Sequence, residues 1–184
     1  MTETLLPHDV TNAKKDPAAN YSLVSVINHW LGALAILVMA ITYQFELHST
    51  HLSLGILLAL PLIWRVLLRL SRGFPRTPDQ HPTISFLERL IIIGLLTAIL
   101  LLAITGLLIP LLSGTQYNIF NLVVWTAPYS GSPAALEITL SIHKYSAMAL
   151  LPLFVLHLAA FTRHAFFNKN GNTLRMLKPL RGGK

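Results

Sequence analysis

The chain has no cysteine. Disulfides, thiolate catalysis, iron–sulfur clusters and covalently attached c-type haem are therefore excluded. Charge is scarce too: 11% of residues are Asp, Glu, Lys or Arg, against about 25% in an ordinary soluble domain. Acid is the scarcer sign, with 7 Asp and Glu against 14 Lys and Arg, a formal net charge of +7. No internal repeat or low-complexity tract is present. What fills the 184 residues is apolar: 53% are hydrophobic, and the mean hydropathy is +0.59. These balances argue against a disordered chain and against a soluble globular enzyme. In a soluble protein such a positive charge would suggest nucleic acid. Here the basic residues sit between long apolar runs, the pattern of a membrane protein's cytoplasmic face, and no nucleic-acid partner is expected.

Four apolar runs stand out, roughly Val24–Phe45, Leu52–Leu70, Phe86–Leu112 and Ile138–Phe167. A spanning helix needs about 20 mostly apolar residues. The fourth run is interrupted by His143, Lys144, His157, Arg163 and His164 but stays apolar between them. Backbone in lipid must satisfy its own hydrogen bonds, so the runs predict four transmembrane helices. The expected fold is an all-α, integral membrane four-helix bundle over residues 21–168. An N-terminal tail (1–20) precedes it and a basic C-terminal tail (169–184) follows. The first run is too long for the h-region of a secretory signal, and no A-x-A-like cleavage site follows it.

Charge orients the bundle. Every Lys and Arg except Lys144 falls before helix 1, around the helix 2–3 connection, or at the end of helix 4 and in the tail. The 1–2 connection around Glu46–Thr50 and the 3–4 connection around Ser113–Glu137 contain none. The positive-inside rule then puts both termini in the cytoplasm of a bacterial inner membrane. The segment from Gly73 to Pro82 reads as a proline-punctuated cytoplasmic turn. On the outer side, Ile119–Trp125 is apolar, with Tyr117 and Tyr129 nearby. It reads either as an interfacial lid over the bundle or as a plain loop.

Ionisable residues inside a membrane segment are candidate functional groups. His8 and His81 lie in polar, proline-flanked segments and are expected to be inert. His29 begins the first apolar run on the inner side, whereas His51 and His143 lie at the outer ends of helices 2 and 4. His157 follows His143 by fourteen residues, about 21 Å of helical rise and nearly four full turns, so the two side chains leave one face. Two pairs result, His51 with His143 outside and His29 with His157 inside. That pattern matches two stacked six-coordinate haems, since neutral imidazole is an axial ligand for haem iron. Zinc or copper would want three or four ligands at one depth. Small residues follow each histidine: Gly32 and Ala33, Gly55, Ala147 and Ala160. They would let a porphyrin approach, and they would equally serve helix packing. His48 competes with His51 but lies nearer the loop and lacks a glycine four residues on. Arg65 and Arg69 fall near the inner pair, where they would meet haem propionates or lipid phosphates. His164 reads as a propionate or quinone partner, or as a headgroup-level base. Pro61 and Pro152 fall midway along helices 2 and 4 and kink them.

The arrangement resembles the prokaryotic cytochrome b561 family, and within it the small superoxide oxidases. The matching residues are Ile27-Asn28-His29-Trp30, His51 with Gly55, and Trp64-Arg65-Val66-Leu67-Leu68-Arg69-Leu70. They continue with the turn around Pro75–Pro82, Ala127-Pro128-Tyr129, the His143 and His157 pair, and Asn172-Thr173-Leu174-Arg175-Met176. The likeness covers about Tyr21 to Pro179. Glu88-Arg89-Leu90-Ile91-Ile92-Ile93 departs from it, because family members often carry histidine and tyrosine there.

The resemblance implies a bundle with two haem b groups on His29, His51, His143 and His157. It also implies electron transfer from superoxide, or another periplasmic one-electron donor, to ubiquinone. His164 lies where a quinone-site histidine is expected. Lys144 is the main positive charge on the outer side, where an anionic substrate would be attracted. The rival expectation is a non-catalytic haem subunit that wires a separate periplasmic dehydrogenase.

Overall fold

The computed structural model describes residues 23–71, 73, 81–114, 116–127 and 131–166. Four helices carry the fold: α1 (Leu23–Gln44), α2 (His48–Ser71), α3 (Pro82–Ser113) and α4 (Pro133–Phe166). All four are long and apolar enough to cross a membrane, so the expected all-α membrane bundle is the observed one. His8, both tails and most of the 2–3 turn lie outside the described residues.

The helix ends explain where the apolar runs misjudge the helices. The α1–α2 turn closes by a Schellman pattern, in which Glu46 N donates to Tyr43 O (3.1 Å) and Leu47 N to Thr42 O (2.9 Å). Glu46 takes the left-handed conformation (φ 57°) that such an end requires. α2 then begins at once, and the polar His48-Ser49-Thr50 forms its first turn. α3 starts on Pro82, whose fixed φ suits a first helical position, with His81 as its cap: Thr83 N donates to His81 Nδ1 (3.4 Å). Gly114 ends α3 at φ 63°. α4 begins at Pro133, five residues before the apolar run, because Pro133-Ala134-Ala135-Leu136-Glu137 is already helical. His143 therefore lies ten residues inside α4 instead of at its start, about 15 Å along it. All three helices α2, α3 and α4 continue through internal prolines, at Pro61, Pro110 and Pro152.

The outer 3–4 connection is an ordered element and not a plain loop. It is an antiparallel hairpin, β1 (Gln116–Ile119) with β2 (Val123–Thr126), in which Tyr117 pairs with Trp125. A lone two-stranded hairpin is marginal in water, and this one is pinned at both ends. At its turn Phe120 and Asn121 are left-handed (φ 50° and 57°), and Phe120 N donates to Ser53 Oγ of α2 (3.2 Å). At its base the Tyr117 hydroxyl donates to Ser113 Oγ (2.8 Å), whose own proton goes to Pro110 O (3.0 Å).

Packing runs in sequence: α1 on α2, α2 on α3, and α3 most extensively on α4, with β1 against α2. Helix α3 is thus the spine. Val66, Leu96 and Ile99 form the buried cluster, flanked by Ile36, Leu62 and Leu150. Outside it, Leu60 is 70% exposed and Leu151 68%, the surface that lipid covers in a spanning bundle. Glu88 and Arg163 tie α3 to α4 at 3.4 Å, which gives the departing Glu88 a structural role.

The core and the surface should respond differently to truncation. Leu96→Ala is expected to destabilise the detergent-solubilised protein by about 2–5 kcal/mol. Leu122→Ala, at a hairpin position 85% exposed, should change stability by no more than about 0.5 kcal/mol. Thermal denaturation of both variants checks the difference; equal losses would contradict the assignment of the core.

Candidate functional site

The four candidate histidines meet in the two expected pairs. His29 of α1 and His157 of α4 have ring centres 6.4 Å apart, with planes at 57°. His51 of α2 and His143 of α4 have centres 6.5 Å apart, at 87°. Helix α4 supplies one ring to each pair, and its fourteen-residue interval sets their separation along the bundle. The pairs are called inner and outer after the orientation expected from charge. His48, in the first turn of α2, is exposed.

These spacings have a chemical meaning. An imidazole nitrogen binds a metal at about 2.0 Å and its ring centre lies about 1.1 Å further back, so two axial rings on one iron have centres about 6.2 Å apart. Both observed spacings are close to that value, and any rotation of the planes about the shared axis is compatible with it. Among the described residues no group of three or more His, Cys, Asp or Glu converges on one point. Donors in facing twos suit a macrocycle that supplies the other four.

The outer rings are held ready for such a bond. His51 Nδ1 lies 3.0 Å from Met39 O and 3.2 Å from Thr42 Oγ1. A carbonyl only accepts, so Nδ1 carries the proton and Nε2 keeps its lone pair. His143 Nδ1 lies 2.8 Å from Thr105 Oγ1, whose own proton is donated to Leu101 O. That hydroxyl accepts from Nδ1, and Nε2 of His143 is again unprotonated. Histidine ligands are commonly oriented in this way by an acceptor at the other nitrogen. Gly106 of α3 lies against the same ring, where a Cβ would be in ordinary contact with His143 Cε1 at 3.5 Å.

The inner pair is held by a cation instead. Arg65 Nη2 lies 2.9 Å from His29 Nδ1, and Nη1 donates to Asn28 O at 3.0 Å. Guanidinium only donates, so Nδ1 accepts and the neutral ring's proton sits on Nε2; a neutral imidazole that bound iron through Nε2 would carry this proton on Nδ1 and give up the Arg65 hydrogen bond. Gly32 makes the seat, since a Cβ there would overlap the Arg65 stem. Among the described residues Arg65 meets no carboxylate, and its buried Nε has no partner. Such a group calls for an anion, and haem carries two carboxylates. Trp30 stacks edge-on to His29 with centres 5.6 Å apart, and Tyr43 lies 6.0 Å from His51. On donor chemistry and spacing, the residues fit two haems.

The remaining predicted residues divide. Arg69, near the inner pair, is half-buried, and Lys144 is exposed beside His143. His164 is part of α4, but its side chain lies outside what is described. Sequence reading missed Met39, Thr42, Thr105 and Gly106. The Thr105-Gly106 step in the otherwise apolar stretch of α3 is a signal that would have found two of them. Met39 acts through its carbonyl, which no side-chain pattern reveals.

Residues 20–179 match the family model described as prokaryotic cytochrome b561. The protein "Cytochrome b561 homolog 2" of Escherichia coli (strain K12) is 26% identical over 170 residues, covering 85% of this chain and 90% of that protein. With the match spanning nearly the whole bundle, the chain belongs to the prokaryotic cytochrome b561 family, multi-pass membrane proteins that carry electrons on haem b.

Proposed function

We propose that this chain holds two haem b groups and passes electrons from a periplasmic one-electron donor, superoxide, to ubiquinone. The facing of two imidazole pairs near the spacing of axial ligands carries the reading. His51 and His143 bind the outer group, His29 and His157 the inner one. Haem supplies the reversible one-electron change at each site. Met39 O and Thr105 Oγ1 orient the outer rings. Arg65 and Arg69 offer cations to the carboxylates of the inner group. Because imidazoles take both axial positions, donor and acceptor exchange electrons without binding iron.

Lys144 attracts the anionic donor to the outer face. His164, seven residues beyond His157, delivers protons to quinone from the cytoplasmic side. The balance is complete: two superoxides each lose one electron and become dioxygen. One quinone takes those two electrons and two protons and becomes quinol. Both termini face the cytoplasm, as the distribution of basic residues supports.

The purified chain should, by itself, reduce a soluble ubiquinone analogue when supplied with superoxide. Turnover only in the presence of a separate dehydrogenase would favour a wiring subunit instead. His51→Ala should lower haem content from two per chain to one and remove the outer spectral component, and His29→Ala should remove the inner one. Loss of the same component in both variants would overturn the pairing. Lys144→Gln should slow the superoxide reaction by up to about tenfold at low ionic strength and weaken its salt dependence. An unchanged rate and salt profile would take Lys144 out of donor capture.

A further inference from the structure

The two histidine pairs sit in opposite electrostatic settings. The outer rings are held by neutral acceptors, the carbonyl of Met39 and the hydroxyls of Thr42 and Thr105. The cation next to them in sequence is Lys144, which is exposed beside His143. At the inner pair, Arg65 is bonded to His29, and Arg69 follows one turn further along α2.

This charge is built in, not incidental. A cation at membrane depth is costly unless a site is made for it. Gly32 leaves the space for the Arg65 stem. The Asn28 carbonyl takes Nη1 and His29 takes Nη2, at 3.0 and 2.9 Å. Gly32 and the Asn28 carbonyl thereby place the charge beside the inner ring. Coulomb interactions strengthen as distance and dielectric fall, so a cation so placed counts for more than one at the surface. A nearby positive charge favours whichever state holds the extra electron.

Resting on the two-haem reading above, we propose that Arg65 and Arg69 make the inner haem the more easily reduced of the two. An electron that enters at His51 and His143 then comes to rest between His29 and His157. The transfer oxidises the outer iron and reduces the inner by one electron, with no bond made or broken. The two arginines are positioning residues for charge and touch neither superoxide nor quinone. They give the bundle a direction, from the outer face toward the inner.

The test is a redox titration of the purified protein, followed in the visible absorption bands. His29→Ala identifies the inner component as the one it removes. In the native protein the inner midpoint should lie above the outer one. Arg69→Gln and Arg65→Gln should each shift the inner midpoint downward and leave the outer in place. Arg65→Lys and Arg69→Lys should retain most of the native gap. Arg69→Gln is needed because Arg65→Gln also takes a hydrogen bond from His29 and risks loss of the haem. An inner midpoint at or below the outer one overturns the proposal. So does an inner midpoint that rises, or stays in place, in the glutamine variants. A native haem-to-chain ratio below two would instead defeat the two-haem reading, and that ratio is measured before any titration.

Discussion

Two imidazoles on one helix each meet a ring from a different helix, with centres 6.4 and 6.5 Å apart. Most other features of this bundle follow from that constraint. Helix α4 packs most extensively on α3 and meets α1 and α2 at the two ring pairs. The buried cluster of Val66, Leu96 and Ile99 gathers where α2 and α3 meet. The apolar exterior needs no further burial, since hydrocarbon is its solvent. Hydrogen bonds then fix the rings: Thr105 reaches His143 from the spine, and the Met39 carbonyl reaches His51 from the last turns of α1.

The two ends of the bundle solve different problems. At the outer end the rings are oriented by neutral acceptors, and the hairpin is docked by Ser53, two residues beyond His51. At the inner end Arg65 holds His29 and bridges α1 to α2 through the Asn28 carbonyl. Gly32 leaves room for this bridge, a use for one small residue that spacing did not suggest. A membrane electron carrier needs a direction as well as a path, and the proposed difference in midpoint between the two ends would provide one.

Much of this was legible in the residues. Long apolar runs gave the four helices, and the fourteen-residue interval from His143 to His157 gave both the common face and the two depths. Helix starts were less legible, because the polar His48-Ser49-Thr50 and the weakly apolar Pro133–Glu137 are helical, and hydropathy alone trims them. The hairpin was missed because Ile119–Trp125 is apolar without the length of a span. Its turn depends on left-handed Phe120 and on a hydrogen bond from 67 residues away in sequence. The partners of the rings were hidden for the same reason. Thr105 is 38 residues from His143 and Arg65 is 36 from His29, and one partner is a backbone carbonyl with no side-chain signature.

The central claim is that each histidine pair holds one haem. The most direct measurement is the haem-to-chain ratio of the purified native protein, by pyridine haemochrome with a reduced-minus-oxidised spectrum. Two b-type haems per chain is the result this account predicts. One haem would show that one of the pairs is not a ligand pair. None, after expression with ample haem, would contradict the account as a whole.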